Sequence, residues 1–148
     1  YSAKGPDGFL PYNDYDCTGV VVSAIGANSG RTWLAQGKWS CIKNTIRFWA
    51  TNPEISTEYL FHATSSPTSW PLRGSAQPFI SQGDARDVRV IKPSKRLAKH
   101  FGGTVGTLHD VTALLSQHSA TLGQLRDTLL PKLLSGEVQV HASGRPQE

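Results

Sequence analysis

Leu108, Leu115, Leu122 and Leu129 recur every seven residues, and Val111, His118 and Leu125 occupy the positions between them. The spacing alternates three and four, which is the a/d seam of a helix that pairs with another helix. The seam lasts about three heptads, near the shortest run that carries such an assignment. Leu97 and Phe101 continue the helical spacing upstream, and Leu114, Leu130, Leu133 and Leu134 widen the apolar face downstream. A helical dimerisation or spacer region is therefore predicted over 94–136. It has more apolar surface than a preceding domain of about 90 residues covers, so a second helix is its expected partner. The alternative is that it folds back on its own domain.

The seam carries interruptions. Gly102, Gly103, Gly106 and Gly123 each cost about 1 kcal/mol relative to Ala inside a helix. His118 is polar at a d position. Pro131 lacks an N–H and is expected to kink or end the helix. Ser135-Gly136 is the natural stop, because glycine adopts the left-handed C′ conformation cheaply. In the tail, 137–148, Glu137 to Val140 reads as a short strand and His141 to Glu148 as disordered.

Residues 1–93 have a different period and read as β-rich. Gly19 to Ala24 is a β-branched run bounded by glycines, hence a buried strand. Arg31 to Ala35 and Trp39 to Ile42 flank Gln36-Gly37-Lys38 and read as a hairpin. Asn44 to Trp49 alternates with period two. Arg86 to Ile91 alternates charged and aliphatic residues before Pro93 and reads as a half-exposed strand. One short helix is expected around Glu58 to His62, with Ser56 as its N-cap. The expected fold class is α+β: a β-rich domain followed by a long C-terminal helix of coiled-coil type.

The 148 residues suit one domain with a real core. No apolar run approaches the ~20 residues of a membrane helix, and no secretory leader opens the chain. Cys17 and Cys41 form neither a disulfide framework nor a CxxC site, so both are expected to be reduced and packed in a cytoplasmic protein. The chain starts at Tyr1 and contains no Met, which reads as a fragment or processed product. The net charge of +4 is uneven. Residues 84–100 hold Arg86, Arg89, Lys92, Lys95, Arg96 and Lys99 against Asp84 and Asp87. Such a stretch is either a solvated basic surface or a polyanion-binding one.

No catalytic constellation stands out. Gly26 to Arg31 fits neither GxGxxG nor the P-loop pattern. It reads either as a loop between strands or as one that offers Asn28, Ser29 and Arg31 to a ligand. Ser40-Cys41-Ile42-Lys43 has the SxxK spacing, but in a strand Ser40 and Lys43 point to opposite faces. The five histidines show no metal-ligand spacing. Glu54 and Glu58 read as a solvated helix start.

Two segments carry a resemblance. Gln124-Leu125-Arg126-Asp127-Thr128-Leu129-Leu130-Pro131-Lys132-Leu133-Leu134-Ser135-Gly136-Glu137-Val138 closely resembles the end of the conserved helical region in specificity (S) subunits of type I restriction–modification enzymes. Ser75-Ala76-Gln77-Pro78-Phe79-Ile80-Ser81, followed by Val88-Arg89-Val90, looks like the segment where that family's target recognition domain returns to its helix. Tyr1 to Gly8, Gly26 to Gly30 and Gly37-Lys38-Trp39 match the same domain's course. The resemblance spans Tyr1 to Val140.

The resemblance implies a non-catalytic DNA-recognition subunit. Residues 1–93 would be a target recognition domain whose N-terminal part is missing, and the chain would be a half-subunit or the C-terminal end of a longer one. Implied partners are double-stranded DNA, methyltransferase (M) subunits that use S-adenosylmethionine, a restriction (R) subunit, and a second copy or half of an S subunit. That last partner would bind through Leu108, Val111, Leu115, His118, Leu122, Leu125 and Leu129. No cofactor is expected on this chain itself, and no membrane partner. The candidate DNA contacts are chosen by side-chain chemistry: Lys4, Asn28, Ser29, Arg31, Lys43, Asn44, Arg73, Gln77 and Gln82. Arg and Lys suit guanine edges, Asn and Gln suit adenine, and any of the cations suits phosphate. The alternative function is a β-rich protein-interaction module with an oligomerisation helix and no DNA role.

Overall fold

A computed structural model describes residues 1–138. The element order is β1 (Tyr15–Asp16), β2 (Gly19–Ser23), β3 (Thr32–Ala35), β4 (Lys38–Trp39), β5 (Thr45–Phe48), α1 (Thr57–Thr64), a 3-10 turn (Pro67–Ser69), α2 (Gln82–Arg86) and α3 (Lys95–Leu134). The fold is α+β, with two small antiparallel sheets and a long C-terminal helix. The chain divides into two compact units, Tyr1–Gly106 and the part from Thr107 on. The division falls inside α3, which begins at Lys95, and not at the expected boundary of 93/94.

The larger sheet has the order β3-β2-β5. Val20 lies opposite Leu34 and Phe48, and Val22 opposite Thr32 and Ile46. β2 is central, and Val20, Val21 and Val22 are fully buried. A strand covered on both faces has no reason to alternate, which explains the unbroken valine run. Full burial contributes about 1.5–3 kcal/mol per valine. That exceeds the ~1 kcal/mol span of strand propensity, so burial fixes this segment at the centre.

Each face of β2 has its own core. Val20 and Val22 pack with Trp70 and Ile80, with Ile46, Phe48, Phe61, Ala85 and Val88 around them. Val21 packs on the other side with Ala35 and Trp39, flanked by Tyr1, Tyr15 and Cys41. Gly19 is needed here, since a Cβ at that position would collide with the Trp39 ring.

The expected hairpin of Arg31–Ala35 with Trp39–Ile42 does not form. Gly37, at φ 66°, turns the chain, but β3 pairs with β2 while β4 pairs with β1 in a separate sheet. Trp39 explains the switch: its ring reaches the core under Val21, and its Nε1 donates to the Cys17 carbonyl at 2.8 Å. Ser40 and Lys43 lie outside any strand, and the Ser40 hydroxyl accepts from the Asp14 amide at 3.0 Å.

The expected strand Arg86–Ile91 is also absent. Ser81 caps α2 by accepting the Asp84 amide at 3.0 Å, so Arg86 ends a helix. Val88 and Val90 are half-buried while Arg89 and Ile91 are exposed. The alternation reports which side chains are covered, and no ladder accompanies it.

α1 follows the sequence reading. The Ser56 hydroxyl accepts from the Tyr59 amide at 3.1 Å. Glu54 precedes this helix instead of opening it, and its carboxylate pairs with Lys95 at 2.6 Å and Lys92 at 3.2 Å. Within the first unit the opening of α3 packs on α1: Phe101 meets Tyr59 and His62 edge to face, and Gly102 lies against Ser56. The glycines of α3 are tolerated, and Pro131 stays inside the helix, which ends at Leu134. Gly136 then takes a φ of 76°. Glu137 and Val138 form a bend, and the rest of the expected strand and tail, 139–148, lies outside the described residues.

Cys41 is half-buried, but Cys17 is exposed and not packed as expected; the two are not joined. Among the described residues no helix is long and apolar enough to cross a membrane.

Candidate DNA-contact face and helix seam

Antiparallel pairing brings two chain turns to one end of the larger sheet. Ser23, which closes β2, lies opposite Thr45, which opens β5, and Val22 lies opposite Thr32, which opens β3. The loop 24–31 and the turn 42–44 therefore share that end. The segment 73–80 joins them: Ile80 donates to Ala24 at 2.8 Å, Gly26 donates to Pro78 at 2.8 Å, and Phe79 bridges both Ile25 and Arg73. Asn28, Ser29, Arg31, Lys43, Asn44, Arg73 and Gln77 are brought together by these links, with Gln82 just beyond in α2. Lys4 lies in the Ser2–Gly5 turn. That turn borders Trp33, whose ring leaves no room for a side chain on Gly5.

Within the group the residues differ in availability. Arg31, Lys43, Asn44, Gln77 and Gln82 are exposed and Asn28 is half-buried. Arg31 lies over the Trp33 ring, 5.8 Å from its centre, which restrains the guanidinium without consuming its donors. Asn44 has a φ of 67°, a conformation asparagine tolerates better than most residues. It turns Lys43 and its own side chain to the surface before β5. Ser29 is different. It is buried, and its hydroxyl lies 2.8 Å from both the Gly26 and the Pro78 carbonyls. Its role in the structure is to hold the loop onto the 73–80 segment.

Arg73 is exposed yet anchored. Its Nε and Nη2 donate to the two oxygens of Asp84, each at 2.6 Å, and the Ser81 hydroxyl donates to the same carboxylate at 2.6 Å. The hydrogen bonds from Arg73, then Ser81, hold the Asp84 carboxyl well below the usual aspartate range, and Asp84 in turn raises Arg73. Asp84 was not legible as a functional residue. The signal that bears on it is Ser81-x-x-Asp84, a cap with an acid in the first turn of a helix.

The basic stretch is partly paired. Lys92 and Lys95 share Glu54, whose carboxyl is lowered by the hydrogen bond from Lys95 and then that from Lys92. Arg86, Arg89, Arg96 and Lys99 are exposed.

Beside this end, β5 faces Val88 and Val90 across an open cleft of about 550 Å³ floored by Phe48, Trp70 and Leu60. Its polar lining includes Arg47, Arg86, Gln82, Thr45 and Thr64. Among the described residues no cluster of His, Cys, Asp and Glu is arranged to hold a metal ion.

In the second unit the seam is open. Leu108, Val111, Leu115, Leu122 and Leu125 are about half or more exposed, Leu129 is exposed, and His118 lies on the surface among them. Comparison with protein-family models and with curated proteins finds no match to this chain.

Proposed function

We propose that this chain is the DNA sequence-recognition subunit of a type I restriction–modification system, which positions adenine methyltransferase and endonuclease subunits on a split DNA target. The observation that carries the reading is that Asn28, Arg31, Lys43, Asn44, Arg73 and Gln77 lie on segments gathered at one end of the β3-β2-β5 sheet. These residues come from three separate stretches of sequence and share donor and acceptor chemistry suited to base edges and phosphates. A surface that offers Arg, Lys, Asn and Gln together has the donors and acceptors that read base edges, with exposed cations nearby for phosphates. The chain's part is recognition. Methyl transfer from S-adenosylmethionine belongs to the methyltransferase partner, and cleavage to the restriction subunit.

The seam from Leu108 to Leu129 supports the second element of this reading, pairing with another copy or half of an S subunit. The same open seam favours the rival reading, a protein-interaction module without a DNA role. Salt separates them, because affinity built on phosphate contacts falls steeply as salt rises.

The direct test mixes the chain with a type I methyltransferase subunit from the same genome and S-adenosylmethionine, then maps methylated adenines on a random duplex pool. One enriched, split motif is the expected result. Failure of the two proteins to associate sinks the proposal and leaves the interaction module.

A further inference from the structure

We infer that Asp84 is a positioning residue which holds the Arg73 guanidinium so that its free edge reads a guanine in the DNA target. This rests on the DNA-recognition reading above. The Arg73–Asp84 pair is not the only closure of the local fold. The loop at 73–79 is already closed by main-chain bonds in both directions, Arg73 to Phe79 at 2.9 Å and Phe79 to Arg73 at 2.8 Å. α2 is already capped by the Ser81 hydroxyl. What the pair adds is orientation. The Asp84 side chain is only 14% exposed and is braced by Ser81, while that of Arg73 is 63% exposed.

A guanidinium has five N–H donors in a rigid fork. Asp84 takes the edge formed by Nε and Nη2. The edge formed by Nη1 and the second Nη2 hydrogen is the one that remains, and it offers two parallel donors. Two acceptor atoms side by side satisfy it, as on the O6/N7 edge of guanine or on a phosphate. Charge decides between them. Asp84 cancels the charge of Arg73, which weakens attraction to a phosphate but leaves the directional donors intact. A neutralised, pre-oriented fork suits a base edge. The neighbouring Gln77 and Arg31 lie at the same end of the sheet, so the guanine falls within the recognised sequence.

The test uses the full chain assembled with the methyltransferase subunit, and compares the methylated motif of the unaltered protein with those of Arg73→Lys and Asp84→Asn. Lysine keeps the charge but not the fork, and asparagine keeps the shape but not the carboxylate. The expected result is that both variants lose preference for the same single guanine, by about tenfold or more, while the other motif positions stay. Circular-dichroism melts accompany both variants, and a motif change in a variant that is still fully folded at the assay temperature separates orientation from folding. An unchanged motif in Asp84→Asn overturns the inference, and so does a uniform loss of methylation in Arg73→Lys with every position retained, the mark of a phosphate contact. No motif at all from the unaltered chain overturns the recognition reading itself, and this inference with it.

Discussion

Single residues divide the candidate face into those that build it and those that present chemistry. The Ser29 hydroxyl suits a ligand by its chemistry, but it bridges two carbonyls, those of Gly26 and Pro78. Ser29→Ala is therefore expected to lower stability by about 1 kcal/mol, the net worth of a typical hydrogen bond, and to leave any DNA sequence preference unchanged. Chemical denaturation and motif mapping check the two halves separately. Gly19 builds the second core in the same sense. Gly19→Ala forces its methyl into the buried Trp39 ring, and a loss of about 1–3 kcal/mol is expected on overpacking. Two ion-paired carboxylates, Asp84 beside Arg73 and Glu54 beside Lys92 and Lys95, shape the acid response of the fold. Asp84 and Glu54 both titrate below their ordinary values when folded, so each contributes stability above the unfolded pKa of about 4 that fades as pH falls below it. The melting temperature should drop between about pH 5 and pH 2, and Asp84→Asn should flatten that drop. An equal slope in the variant would show that the Asp84 pair has no share in it.

Elements show how far a periodic pattern reaches. The α3 seam was visible at once because it repeats every seven residues, and four glycines and Pro131 did not end the helix where propensity alone weighs against it. Gly102 lies against Ser56, where a methyl group would still fit at van der Waals distance, so packing does not explain this glycine. α1 was legible through its cap. Leu122 is 65% exposed in the middle of the seam, and Leu122→Asp is expected to abolish helix-mediated pairing while the far-ultraviolet circular dichroism of the chain stays the same. Light scattering or analytical ultracentrifugation of the two proteins reads this directly. Unaltered self-association in the variant would remove the seam from the interface.

For the whole molecule the question is whether recognition and assembly are separable, as the division into two units suggests. The candidate contacts all fall in the first unit and the exposed seam in the second. Arg31→Ala, which removes a donor held over Trp33, is expected to change the recognised sequence. Lys95→Ala, which leaves Glu54 paired with Lys92, is expected to weaken binding at every sequence and to reduce its salt dependence by about one charge. An unchanged motif for the Arg31 variant would take Arg31 out of the readout.

Some of this was written in the order of the residues. Val20 to Val22 had to be buried, Ser56 had to start a helix, and the leucines had to line one face, because each depends on neighbours a few positions away. Which strand pairs with which was not written there. Trp39 left the expected hairpin for a core under Val21, and Val88 to Ile91 alternated in burial without joining a ladder. A period records which side chains are covered, but not which backbone supplies the hydrogen-bond partner. The same limit hid Asp84. Its tie to Arg73 spans 11 residues, and an ion pair across that separation exists only once the 73–80 segment has folded back onto β2 and set the two side chains within reach.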